Sequence, residues 1–465
     1  MKRNIKRKKS KITINKTVKK IIFIALAILM ELVLAILMIR GITSNTLEVT
    51  ETVFIIIILL LLIPVMLIAL LVVVLYGKKE PKIIVPTGAL SGGSKSIGGS
   101  EDIGDGKERF CMLSKIEEQK NSYGHVKYNK NISLEKICED FRNYAASRLK
   151  LYYDIDDIRR FIAGMAVSKI LILQGMSGTG KTSMAHAFGS FMDNTSTVIP
   201  VQPMWKERTD LLGYYNEFTK RFNETILLEK MYEANYSKDI YITVLDEMNI
   251  ARVEYYFAEF LSLLELPNPD ERYIEVVSDE WENDPSQLRD GRIKLPENMW
   301  FIGTANNDDS TFAISDKVYD RAMIMNLDKK SDRFAAPMTD KMYISAEQFA
   351  DLVEEAKSEY EVSLRNRSRL EQLDAFLIDR FHITFGNRIM KQILTYIPVY
   401  ISCGGDELMA LDDIISKKVI RKLETQNPIY LRNTSEELIV FLDELFGAEN
   451  MTLCKEYIRR LQRNA

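Results

Sequence analysis

One stretch constrains this chain more than any other: "KILILQGMSGTGKTS", Lys169 to Ser183. Its first five residues are short, apolar and partly β-branched, and they end at a turn signal, which predicts a buried strand over 169–173. Gly175, Met176, Ser177, Gly178, Thr179, Gly180, Lys181 and Thr182 then satisfy GxxxxGK[ST] at every fixed position, and a helical pattern opens behind them through Ser183. The glycines let successive backbone N–H groups turn inward around phosphate oxygens, and the helix that follows adds its partial positive N-terminus. In such a loop Lys181 reaches the β and γ phosphates and the Thr182 hydroxyl ligates Mg2+.

A phosphate loop of this kind needs a second strand that carries an acid for the metal. "DIYITVLDEMN" supplies one: Ile240–Leu245 is β-rich, and Asp246 and Glu247 stand at its end. At the carboxyl edge of a parallel sheet this places Asp246 in the Mg2+ shell and Glu247 where it can orient or deprotonate an attacking water. A third strand is predicted over Met299–Gly303 in "NMWFIGTANNDD" and delivers Asn306 to the same edge. An amide there can hydrogen-bond the water or the γ-phosphate without adding negative charge.

Two further runs point to a different environment. Residues 21–39 are apolar except for Glu31, and 53–76 are apolar around Pro64. Each reaches the roughly 20 residues a helix needs to cross about 30 Å of hydrocarbon. The first 20 residues hold ten Lys or Arg and no acid, "YGKKEPK" follows the second run, and "GITSNTLEVTE" between the runs carries acids and no base. The positive-inside rule then predicts a two-pass cytoplasmic (inner) membrane protein, both termini in the cytoplasm and lipid contacts over 21–76. Glu31 is either a functional intramembrane carboxyl or simply a protonated or interface-shifted one.

The remaining composition narrows the chemistry. Four cysteines, Cys111, Cys138, Cys403 and Cys454, share no spacing with one another or with the three histidines, which argues against zinc and against a disulfide framework. His125, His186 and His382 are isolated, so a histidine-based dyad is not expected. The net charge of −3 makes this no basic protein, despite its basic N-terminus. Residues 86–108 are Gly- and Ser-rich and read as a tether. After Ser345 the pattern is mostly helical, with mixed charges on amphipathic turns.

"TDLLGYYN" (209–216), "LDEMNIARVEYYFAEFLSLLE" (245–265) and "GRIKLPENMWFIGTANNDD" (291–309) resemble the dynein-related branch of the AAA+ ATPases, which includes MoxR-type chaperones, midasin and McrB-type restriction subunits. The resemblance covers about residues 133–445. It implies an α/β fold: a three-layer sandwich on a parallel sheet with a C-terminal helical lid, here preceded by two transmembrane helices. It also implies ATP and Mg2+ as cofactors and a homo-oligomeric ring, usually a hexamer, whose sites are shared between neighbours. By the same resemblance Arg321, after "SDKVYD", is the arginine finger acting in trans. Arg388 in "FGNRIMKQI" is the sensor-2 arginine, with Arg380 and Lys391 as alternatives. McrB-type chains carry Met-Asn-x-x-Asp-Arg where this one has Ala305 to Ser310 without the arginine, so ATP is expected rather than GTP.

The insertion 266–292 is read as a hairpin projecting into a ring pore. Its acids argue against nucleic acid as its cargo. The expected organisation is a basic N-terminus (1–20), a membrane hairpin (21–77), a linker (78–130), an AAA+ α/β domain (131–330) and a helical lid (331–465). The function expected is a membrane-anchored ATPase remodelling an unidentified protein partner. The alternative is the motor subunit of a restriction or anti-phage system that works with a separate nuclease.

Overall fold

The computed structural model describes residues 108–464 other than 126, 307–310 and 329–330. The expected membrane runs and basic N-terminus lie outside the described residues. The expected two-pass membrane placement is corrected: among the described residues no helix is long and apolar enough to cross a membrane. The long helices that are described are amphipathic. Leu364–Phe381, with 18 residues, buries Leu370, Leu373 and Leu377 while its other face carries Arg365, Glu371 and Asp379.

Nine strands are described, β1 Ile170–Gly175, β2 Thr197–Pro200, β3 Gly213–Asn216, β4 Arg221–Glu224, β5 Tyr241–Asp246, β6 Tyr273–Glu275, β7 Arg292–Lys294, β8 Met299–Asn306 and β9 Met323–Asn326. Five of them form a parallel sheet in the order β2-β5-β8-β1-β9. Both faces of this sheet are covered, which is why its strands read as continuous apolar runs rather than alternating ones. The period of two reappears in where the side chains go. Leu171, Leu173, Ile242, Val244, Trp300 and Ile302 enter one core, while Ile170, Ile172, Tyr241, Leu245, Met299 and Phe301 enter another. Helix–sheet–helix layering follows from that split.

The first core also takes Met184 and Phe188 of the helix Lys181–Phe191, Phe161 of the helix Ile155–Val167, and apolar residues of the C-terminal helices as far as Ile458. The helix Gly386–Ser402 packs directly on Ile155–Val167. This C-terminal region begins at Ser345, whose side chain accepts from the Gln348 N–H while Gln348 reaches back, a reciprocal capping box.

Two hairpins, β3–β4 and β6–β7, decorate the body. The insertion expected to project does form a hairpin, yet its Ile274, Val277 and Leu288 bury in the second core together with the adjoining Ile293. Two of its acids, Asp279 and Asp284, are taken up by the buried Arg109 at 3.0 and 2.5 Å. Residues inside the range read as a linker are packed too. Phe110 and Leu113 are fully buried, and the helix Cys111–Glu118 is capped by Glu224, whose carboxylate accepts from the N–H groups of Cys111, Met112 and Leu113. All four cysteines are free thiols, three of them buried.

Candidate functional site

Parallel register assembles the site. Gly175 at the end of β1 lies opposite Asn306 at the end of β8, and Leu245 of β5 lies opposite Gly303 of β8. Asp246, Thr304, Asn306 and the loop after Gly175 therefore crowd one carboxyl edge of the sheet, where ligands bind in open α/β sheets.

The loop has the backbone a phosphate cradle requires. Gly175 sits at φ +140°, and a Cβ there would lie 2.3 Å from the Leu327 carbonyl oxygen. Gly180, at φ +97°, caps the helix Lys181–Phe191 from the left-handed region. Met176, Ser177 and Gly178 are exposed at the loop tip, and Ser183 is half-buried in the first helical turn. Thr179 Oγ1 donates to the Met176 carbonyl. Lys181 is buried, and its Nζ donates to the carbonyls of Gly175 at 3.0 Å and Met176 at 2.7 Å, so the ammonium lies across the mouth of the loop.

Around Asp246 the contacts are direct. Thr182 Oγ1 donates to Asp246 Oδ1 at 2.7 Å, and Thr304 Oγ1 donates to the same oxygen at 2.8 Å. Thr304 in turn accepts from the Glu247 N–H at 2.9 Å. Glu247 adopts φ 52°, ψ 46°, and is exposed. A buried hydroxyl on β8 thus ties the Asp246 carboxylate to the turn that presents the next acid.

Asn306 is half-buried, and its carbonyl accepts from Asn249 Nδ2 at 3.0 Å. Asn249 is 5% exposed, and its Oδ1 has no partner among the described residues. Both asparagines line a cavity of about 430 Å³ with Gln174, Lys417, Arg421 and Arg460. The C-terminal helices therefore wall the carboxyl edge with cations that have no motif in the sequence. Lys417 is anchored by Asp413, which also pairs with Arg160 at 3.0 Å and accepts from the Tyr396 hydroxyl at 2.6 Å. Burial pushes the Lys417 ammonium down, and Asp413 opposes that shift.

Arg321 and Arg388 lie elsewhere. Arg321 stands just before β9, and its carbonyl accepts from the Ser168 hydroxyl just before β1, so it is at the amino edge of the sheet. Six residues of strand at about 3.3 Å each put that edge about 20 Å from the phosphate loop of the same chain. Arg388 joins it there, both pairing with Glu265 at 2.7 Å. The alternatives fall apart in space: Arg380 pairs with Glu437 on the surface, while Lys391 lines the cavity beside Arg388. Glu265 was not singled out from the sequence, where one acid in a helical run carries no mark.

Residues 170–322 match the family model described as "AAA domain (dynein-related subfamily)". This segment is an AAA domain. It opens on the first residue of β1 and closes one residue after Arg321, so it contains the loop, Asp246, Glu247, Asn306 and Arg321, while the C-terminal helices and Arg388 lie beyond it. No curated protein matches the chain. Among solved structures, a "putative ATPase" from Cytophaga hutchinsonii matches at 12% identity over 71% of this chain and 95% of that one, with a TM-score of 0.42. The AAA domain implies nucleotide binding, and the donor set fits Mg2+ with a triphosphate. A hydroxyl and a carboxylate already within hydrogen-bond distance, Thr182 and Asp246, form the oxygen pair such a metal takes.

Proposed function

We propose that this chain binds and hydrolyses ATP with Mg2+ and works as a ring oligomer, the common assembly of AAA domains, to remodel a macromolecular partner. The observation that carries the reading is the meeting of Thr182 Oγ1 and Asp246 Oδ1 at 2.7 Å beside Lys181 and Asn306. Loop, acid and amide come from three strands, and an ordinary buried turn has no need to bring them together.

In this mechanism the backbone amides of 175–182 and the Lys181 ammonium hold the β and γ phosphates. Thr182 and Asp246 would hold Mg2+, which when bound offsets phosphate charge. Glu247 orients the attacking water and accepts its proton, and Asn306 donates its amide to the water or the γ-phosphate. Since Arg321 is at the opposite edge of its own sheet, a guanidinium for the γ-phosphate comes from a neighbouring subunit. The test is Glu247→Gln: ATP binding persists while turnover falls by about 10²–10⁴-fold. Undiminished turnover overturns the assignment.

A further inference from the structure

We propose that Glu265 is a positioning residue: it fixes the plane of the Arg321 guanidinium and couples it to Arg388, presenting the pair to the triphosphate of an adjoining subunit. This rests on the reading of Arg321 as the trans-acting arginine. Glu265 lies just beyond the helix Ala258–Leu263. Its two carboxylate oxygens face two different elements: Oε2 lies 2.7 Å from Arg321 Nε, ahead of β9, and Oε1 lies 2.7 Å from Arg388 Nη2, in the first turn of Gly386–Ser402, both as ion pairs.

A second tether acts on Arg321, whose Nη1 donates to the Lys317 carbonyl at 2.9 Å. One hydrogen bond at Nη1 and one ion pair at Nε restrain a planar fork from two sides, the property that suits arginine to phosphate. The backbone behind it is held as well. Gln392 Nε2 donates to the Asp320 carbonyl at 3.2 Å, and Lys418 Nζ donates to the Tyr319 carbonyl at 2.7 Å.

The surroundings are cationic. Glu265, Arg321 and Arg388 border a cavity of about 760 Å³ that also takes in Lys169, Arg272 and Lys391, against one further acid, Glu354. Without the shared carboxylate, two guanidiniums at this rim repel each other and lose their common orientation. With it they stand side by side with one net positive charge. An isolated surface ion pair tolerates neutralisation of one partner, whereas a positioning carboxylate does not.

The experiment compares full-length wild type, Glu265→Gln, Glu265→Asp, Arg321→Ala and the double variant Glu265→Gln/Arg321→Ala. Steady-state ATP turnover, binding of a fluorescent ATP analogue and thermal unfolding are measured for each. Glu265→Gln is expected to lower kcat about tenfold or more, with KM, analogue binding and melting temperature near wild type, because the loop at the far edge is untouched. The Asp variant, one methylene shorter, reaches only one guanidinium and falls between. The double variant is no slower than Arg321→Ala alone. If Arg321→Ala is slow and Glu265→Gln turns over at the wild-type rate, this proposal fails and the trans-arginine reading survives. If Arg321→Ala itself keeps wild-type turnover, both fail. Should the Gln variant melt early, the Asp variant decides: wild-type turnover in it overturns the proposal.

Discussion

Glu247 occupies the left-handed region, where a side chain other than glycine costs energy, and such strain persists only when neighbours hold it. Its holder is Thr304, which accepts the Glu247 N–H and donates to Asp246, so one hydroxyl positions two acids. Thr304→Val preserves shape but leaves that N–H without its acceptor. It is expected to cost about 1–3 kcal/mol, read as a lower unfolding midpoint, and to slow turnover more than it weakens ATP binding. A variant with wild-type turnover would show that the turn needs no such support. The placement of Lys181, Asp246, Glu247 and Asn306 at one sheet edge was legible in the sequence because each sits at a fixed offset from a strand end. Thr304 and Asn249 were not. Their contacts join β8 to the end of β5 and the turn behind it across almost sixty positions, and no local pattern records that pairing.

At the scale of elements, the segment leading into the AAA domain is pinned by one histidine. His125 Nδ1 lies 2.8 Å from Asp239 Oδ1 and its Nε2 lies 3.3 Å from Asp193 Oδ2, with Tyr128 also donating to Asp239 and Lys341 pairing with Asp193. Burial opposes the charged imidazole, but the hydrogen bonds and charges of the two aspartates outweigh it and raise its pKa. A raised folded-state value means the contribution is complete below the unfolded pKa of about 6.5 and is lost as pH rises through the folded value. The unfolding midpoint of wild type should therefore fall more between pH 6 and pH 8.5 than that of His125→Gln. Parallel pH profiles for the two would contradict this. In the sequence His125 stood alone within a range read as linker, because its partners arrive from the end of the helix Lys181–Phe191 and the approach to β5. Three strands of the sheet, β1, β5 and β8, and the helical pattern after Ser345 were legible from apolar runs and period, whereas β2 and β9 were not. The burial of the β6–β7 insertion was not, since its apolar residues are spaced too sparsely to mark a core face.

For the whole molecule, the parallel sheet puts two groups at opposite ends: the glycine-rich loop with Asp246 and Glu247 at the carboxyl edge, and the Arg321–Glu265–Arg388 group at the amino edge. A single subunit cannot bring these together across its own sheet. Adjacent subunits in a ring can, which makes the α/β fold and the proposed assembly parts of one argument. Everything in it depends on the loop at 175–182 holding a triphosphate. The most direct measurement is calorimetric titration of Mg-ATP into the full-length protein and into Lys181→Ala. Saturable binding of one ATP per chain is expected, weakened about 100-fold in the variant, the equivalent of roughly 3 kcal/mol for a charged hydrogen-bond donor. No binding to the wild type, or equal binding to both proteins, would contradict it.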